Sequence, residues 1–242
     1  MSSRDIVTIT DVYDNVPLDQ RFKNEPLGLS LVIESRAGVT LFDTGGRASV
    51  LLENLSAADI DPATFKRVFL SHAHSDHTGG LRAVLERNRQ LTVFAAASFP
   101  GMIREEVTAM GAKYVMISEA VEIADGLWST GELEGIAWEQ SLVIVAHGGP
   151  ILVTGCAHAG LVDTVRLAAR LVGRAPRVVL GGFHLEENTH EEIEDISERL
   201  HVMGVVKIGG SHCTGQKARS LMRRRWGDGW IELGAGARIS IC

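Results

Sequence analysis

The sequence predicts an α/β fold with a ligand site at the carboxyl ends of its strands, and three features carry that reading. Short apolar runs alternate with helical patterns along most of the chain. The last third repeats one unit three times: an apolar strand, a glycine-containing end with a histidine, then a helix. Finally, the stretch Ser71-His72-Ala73-His74-Ser75-Asp76-His77-Thr78-Gly79-Gly80 follows directly on the apolar run Val68-Phe69-Leu70, placing imidazoles and a carboxylate at a strand end.

Composition bounds the answer. The 242 residues are 45% hydrophobic and 22% charged, an ordinary globular balance. No linker, low-complexity tract or charge block divides them, so one domain over 1–242 is expected. A formal net charge of −6 argues against nucleic acid as a partner. The three cysteines, Cys156, Cys213 and Cys242, are too few and too scattered for a disulfide framework, which favours a reducing compartment. No leader-like segment opens the chain and no apolar run approaches a membrane span. A soluble cytoplasmic protein, not bound to a membrane, is the expectation.

Taken in order, Ile6–Thr10, Leu29–Ile33 and Val39–Phe42 read as strands, the last two joined as a hairpin through Ser35-Arg36-Ala37-Gly38. Asp11 to Pro26 reads as a polar loop, equally suited to contacting substrate or to a plain surface excursion. Asp43-Thr44-Gly45-Gly46 closes the third strand before a helix from Ala48 to Leu55. After the histidine-rich stretch come a helix (Gly80 to Asn88), a strand (Leu91 to Ala96), a helix (Phe99 to Met110) and a strand (Lys113 to Ile117). Val121 to Glu134 reads as further strand. Ser141–Val145 and Ile151–Thr154 form a hairpin around Gly148-Gly149, with His147 a bystander in the turn. The three repeated units end in Gly155-Cys156-Ala157-His158, Gly181-Gly182-Phe183-His184 and Ser211-His212-Cys213-Thr214, with helices at Leu161–Val172, Glu191–Met203 and Gln216–Arg225. Trp230 to Ile241 reads as a closing edge strand.

Strands joined by helical crossovers run parallel, so their carboxyl ends share one sheet edge. His158, His184 and His212 are thus expected to converge on the edge that carries the opening motif. There, His72 and His74 are two apart and project to one side of an extended segment, where they can chelate one ion. Asp76 and His77 follow as the chain turns into a helix and can face a second. Imidazole nitrogen and carboxylate oxygen suit zinc and similar first-row metals. One histidine alone would read as a solvated loop residue; four such groups in six residues do not.

His72-Ala73-His74-Ser75-Asp76-His77 resembles the signature of the metallo-β-lactamase superfamily. That resemblance implies an αββα four-layer sandwich with a one- or two-metal hydrolytic site along one edge. It implies His72 and His74 on a first metal, Asp76 and His77 on a second, His212 as the last metal histidine, and Asp43 supporting the metal loop from behind. Two departures stand out. Cys156 occupies the place of the family's bridging Asp, and no histidine stands near Glu132, where another is usual. His158 is taken as the remaining ligand; Cys156 either turns away, the slightly favoured case, or points in as a thiolate shielded from thiol reagents by the metal.

The units around Cys156, His184 and His212 further resemble the branch labelled 7,8-dihydropterin-6-methyl-4-(ribofuranosyl)aminobenzene 5′-phosphate synthase. The implied activity is metal-assisted hydrolysis of a small anionic molecule, phosphorylated and ribose-bearing or pterin-like. One or two divalent transition-metal ions would be required, zinc first, with iron or manganese as alternatives. Asp76 would ligate and orient the water, and His184 would donate to the leaving group. From the basic run Lys217, Arg219, Arg223, Arg224 and Arg225, one or two side chains could bind an anion while the rest are solvated. The competing reading is a non-catalytic metal- or ligand-binding sensor on the same fold, favoured by Cys156 in place of the acid.

Overall fold

Apolar residues occupy both faces of the inner strands, so each sheet must be covered on two sides. The computed structural model, which describes residues 6–24 and 27–242, meets that demand with two sheets packed face to face. The first contains β1 (Val7–Asp14), β2 (Leu29–Ser35), β3 (Gly38–Phe42), β4 (Phe65–Phe69), β5 (Thr92–Ala96) and β6 (Lys113–Ile117). The second contains β7 (Val121–Ala124), β8 (Leu127–Ser129), β9 (Leu142–Ala146), β10 (Gly149–Thr154), β11 (Val178–Gly182) and β12 (Lys207–Ser211). The last strand, β13 (Arg238–Ile241), returns to the first sheet and pairs antiparallel with β1, giving the orders β13-β1-β2-β3-β4-β5-β6 and β12-β11-β10-β9-β8-β7.

Alternation along the strands sorts the side chains into layers. Ile9, Leu31, Ile33, Phe42 and Phe69 face Leu142, Ile144, Ile151, Val153, Val178 and Leu180 between the sheets, with Phe42 and Phe69 stacked at 5.5 Å. The intervening residues Val32, Leu41 and Val68 face outward under α1 (Ala48–Ala57), α3 (Leu81–Arg87) and α4 (Gly101–Ala109). Leu152 and Val179 do the same under α5 (Leu161–Val172), α6 (His190–Val202) and α7 (Gln216–Trp226). The result is the expected αββα sandwich. A reciprocal capping box, Thr189 with Glu192, starts α6 at His190, one residue before the Glu191 expected from the sequence. Among the described residues, no helix is long and apolar enough to cross a membrane.

Three elements differ from expectation. β1 runs on to Asp14, so the loop taken to begin at Asp11 begins at Asn15; its last two residues, Glu25 and Pro26, lie outside the described residues. Asp11 and Asp14 look like loop residues by type, yet both are buried in the strand. Val121–Glu134 is a hairpin, β7 and β8, because Asp125-Gly126 supplies a tight turn with Gly126 at φ 70°. Of Trp230–Ile241, only Arg238–Ile241 is strand, since Gly234 and Gly236 interrupt the run.

Parallel pairing of β3 with β4 and of β10, β11 and β12 brings five strand ends to one rim of the sandwich. There the loop after β3 packs backbone to backbone on α2 (Ser75–Thr78), a short helix inside the histidine-rich stretch. Thr44 N donates to His77 O at 2.7 Å and Gly79 N donates to Gly45 O at 2.9 Å. A Cβ on Gly79 would fall 2.2 Å from Gly46 O, so any side chain there forces the two loops apart. Gly79→Ala is therefore expected to destabilise the fold by about 1–3 kcal/mol, as overpacking does. Urea unfolding with an unchanged slope and a lower midpoint is the expected result, and an unchanged midpoint would contradict the close approach.

Candidate metal centre

Each site residue sits where its strand ends. β4 stops at Phe69, and the chain leaves the sheet through Leu70 and Ser71, delivering His72 fully buried and His74 exposed above it. The first turn of α2 then presents Asp76, and His77 folds back into the interior. From the second sheet, β10 delivers Cys156 and His158, β11 delivers His184, and β12 delivers His212. The rings meet at the rim: His72 lies 4.9 Å from His158, His158 lies 4.5 Å from His184, and His77 lies 4.9 Å from His212, centroid to centroid. Convergence of the strand-end histidines, expected from topology, is thus observed.

The orientation of the rings follows from what holds their outer nitrogens. Asp43 Oδ2 accepts from His77 Nδ1 at 2.7 Å, and a carboxylate can only accept, so the proton is on Nδ1 and the Nε2 lone pair faces inward. His212 Nδ1 meets Asn15 Oδ1 at 2.9 Å, with the same consequence. Ser71 Oγ donates to Asp43 Oδ2 at 2.7 Å and is thereby free to accept from His72 Nδ1 at 2.9 Å. Three imidazoles thus turn unprotonated Nε2 atoms towards the centre, the arrangement in which metal-binding histidines are held.

The inner atoms lie at ligand spacing. His72 Nε2 is 3.0 Å from His74 Nδ1, and His77 Nε2 is 3.2 Å from His212 Nε2. Two nitrogens at ~2.0–2.1 Å from one tetrahedral ion stand roughly 3.3 Å apart. Asp76 Oδ2 lies 3.6 Å from His77 Nε2 and 3.4 Å from His212 Nε2. His158 is buried with both ring nitrogens unpartnered, a state that a buried imidazole holds only when something else is to engage it. Three overlapping donor groups result: His72, Cys156 and His158; His77, Cys156 and His212; and Asp43, His72 and His77. The first two fit divalent first-row ions. In the third, Asp43 is already committed to Ser71 and His77, so it orients ligands and does not supply one.

Cys156 corrects the sequence reading. Its thiol was expected to turn away, but Sγ lies 3.4 Å from His77 Nε2 and belongs to both fitting groups. Ala157, at φ 57°, folds the turn tightly enough that Cys156 and His158 both point into the centre. Glu132 faces elsewhere and accepts from Ser98 N at 2.5 Å. His147 is exposed in the β9–β10 turn, at the opposite end of β10. From the basic run only Arg219 reaches the cleft, where it donates to Gly210 O and Leu233 O, while Arg223 and Arg225 pair with Glu232 and Glu198.

Sequence reasoning missed Asn15, Ser71 and Glu139. The first two show no motif and are visible only as neighbours of expected ligands. Glu139, fully buried beside His72 with its carboxyl against the backbone of Cys156 and His158, sits in a segment with no strand or helix signal. Burial and the nearby Cys213 raise its carboxyl to about 8.

At three of the imidazoles the electrostatics favour the neutral form that can bind a cation. Burial, then the adjoining histidines, lowers His72 far below the ordinary imidazole value. Burial and His184 take His158 to about 4, and burial and His77 lower His212. For His77 burial opposes protonation, but Asp43 outweighs it and the net shift is upward. His184, outside the donor groups, is raised by its hydrogen bond with Cys213. Above all of these lies a cleft of about 760 Å³, lined by His74, Asp76, His158, His184, Glu186 and Arg219 among others.

The chain belongs to the metallo-beta-lactamase superfamily, whose sequence pattern residues 25–164 match. It is 28% identical to the 7,8-dihydropterin-6-methyl-4-(beta-D-ribofuranosyl)-aminobenzene-5′-phosphate synthase of Methanocaldococcus jannaschii, across 88% of this chain and 90% of that one. A solved metal-dependent hydrolase of the beta-lactamase superfamily superposes with a TM-score of 0.80 at 25% identity, covering 96% of this chain and 98% of the other. The metallo-beta-lactamase fold protein YhfI from Bacillus subtilis shares the fold, with a TM-score of 0.71 at 11% identity over 98% of this chain and 100% of its own.

Two outcomes follow from the geometry. Asp43→Asn removes the acceptor that fixes His77, and metal affinity measured by chelator competition should fall by about 10–100-fold; an unchanged affinity would show that the contact does not orient the ligand. In the metal-free protein, Glu139 holds a proton up to about 8 that the unfolded chain releases near its ordinary 4.5. Its contribution to stability is therefore lost as pH rises through that window. The urea midpoint should fall between about pH 5.5 and 8.5 more steeply in wild type than in Glu139→Gln. Parallel profiles would mean that the carboxyl titrates normally.

Proposed function

We propose that the chain is a metal-dependent hydrolase acting on a small phosphoester-bearing molecule. One observation carries the reading: three imidazoles with their outer nitrogens tied to acceptors aim their free nitrogens, with the Cys156 thiol, at the floor of an open cleft. The solved hydrolase of the same superfamily supports the reaction class. The Methanocaldococcus relative is named for a synthase whose product carries a ribofuranosyl 5′-phosphate, so it supports the substrate class and not the reaction.

His72, His74 and His158 would hold one ion and Asp76, His77 and His212 a second, with Cys156 between them. The nitrogen and thiolate set favours zinc over harder ions such as manganese, with iron the nearer alternative. When bound, such ions activate water near neutral pH and neutralise charge on phosphoryl oxygens. The chain's own residues do the rest. Asp76 is a quarter exposed, faces the cleft and can orient the attacking water. His184 stands at the cleft wall, and its hydrogen bond with Cys213 favours the protonated form that a general acid needs. Arg219, half-buried in the cleft wall, adds positive potential while its guanidinium is engaged by Gly210 O, Leu233 O and Glu232.

Metal analysis and turnover on phosphomonoesters and phosphodiesters test the reading, with lactones, thioesters and β-lactams as controls. His184→Gln should lower kcat by roughly 10²–10³-fold with metal content unchanged. His72→Ala with His74→Ala should lose both metal and turnover. Hydrolysis confined to a control class would overturn the substrate assignment. A metal-loaded protein inert to the whole panel would favour the sensor reading, which Cys156 in place of a bridging acid supports.

A further inference from the structure

We propose that Cys156 and Cys213 form a reversible disulfide across β11, withdrawing the Cys156 thiol from the metal centre and so gating it by thiol oxidation. The inference rests on the metal-centre reading above, and goes beyond it in assigning a function to Cys213.

The topology at first argues against contact. Cys156 follows β10 and Cys213 follows β12, with β11 between them, and strands two apart in a sheet are separated by roughly 9–10 Å. Two local features close the gap. The 3-10 turn His212–Thr214, entered through His212 at φ 51°, bends Cys213 back over the end of the sheet. β11 ends there in Gly182, and a Cβ at that position would lie 2.8 Å from Cys213 Sγ. The missing side chain is the space through which the thiol crosses. Cys213 Sγ donates to Cys156 O at 3.8 Å, and both cysteines line the same cleft. His184 N donates to Cys213 Sγ at 3.3 Å, fixing it in place.

Position gives the pair its consequence. Cys156 is the one residue common to both donor groups that fit a metal, so engaging its sulfur elsewhere takes a donor from each. Both cysteines line the cleft, where a small oxidant can reach them. With hydrogen peroxide, the Cys213 sulfur attacks one oxygen, the O–O bond breaks and water leaves, giving a sulfenic acid. The Cys156 sulfur then attacks that sulfur and the hydroxyl departs as a second water. In the metal-free pair one S–S bond replaces two S–H bonds, and where the Cys156 sulfur holds metal as a thiolate, solvent supplies the proton for the second water; two electrons pass to the peroxide, and a dithiol reductant reverses the change. Cys242 is exposed at the far end of the sandwich, beside the β9–β10 turn, and serves as an internal control.

The test treats reduced, zinc-loaded protein with equimolar hydrogen peroxide. A mass loss of about 2 Da should appear. Peptide mapping should join residues 156 and 213, and zinc should pass to a colorimetric chelator about tenfold faster or more, the scale of a lost supporting contact. Reduction should restore thiols and metal retention together. Cys213→Ser should bind zinc when reduced yet show neither the mass loss nor the release, while Cys242→Ser should behave as wild type. Peroxide that yields only sulfinic acid, or releases zinc equally from Cys213→Ser, would overturn the proposal; the wild-type map decides this even if that variant folds poorly. A chain that forms the 156–213 link but binds no metal when reduced would overturn the gate by removing the metal reading, a failure visible before any oxidant is added.

Discussion

One buried carboxylate organises the rim of this sandwich. Asp43, at the end of β3, accepts from Ser71 N and Ser71 Oγ at the end of β4 and from His77 Nδ1 in α2. Those bonds satisfy a fully buried acid that would otherwise be prohibitive to bury. They also set the direction of two rings, His77 directly and His72 through the Ser71 hydroxyl. Candidate ligands on both sides of the centre therefore take their orientation from a residue outside both donor groups.

Each sheet contributes four groups, and the two must close correctly for the site to exist. His72, His74, Asp76 and His77 come from the first sheet, and Cys156, His158, His184 and His212 from the second. His212 is held from across the interface: Asp14 Oδ1 accepts from its backbone N at 3.3 Å, and Asn15 Oδ1 accepts from its ring Nδ1 at 2.9 Å. Packing between the sheets is thus also ligand positioning. The backbone bears the strain of this convergence, since Asp43, Ala157, His184 and His212 all adopt positive φ, each costing of order 1–3 kcal/mol. Strain concentrated in strand-end turns around one cleft is the usual mark of a functional rim.

A thiol shared between two donor groups changes the chemistry that a carboxylate would have given. Sulfur is softer and binds zinc at a longer ~2.3 Å, and as a thiolate it brings redox sensitivity that an acid lacks. Glu139, buried beside His72, adds a second ionisable group, which burial and Cys213 keep protonated up to about 8.

Much of this was legible in the sequence. The period of the strands, the repeated strand-helix units and the spacing from His72 to His77 determined the α/β class, the rim on which the site lies and nearly all of its imidazoles, because these depend on local pattern and on the handedness of parallel crossovers. What escaped was whatever depended on contacts between distant segments. The inward turn of Cys156 hangs on the φ of Ala157; the reach of Cys213 hangs on a bare glycine one strand away; and Asn15 and Glu139 matter only through the rings they lie against. Sequence determined which residues arrive at the rim, while tertiary packing alone decided which way each one faces, because a side chain's direction is set by partners that are remote in the chain.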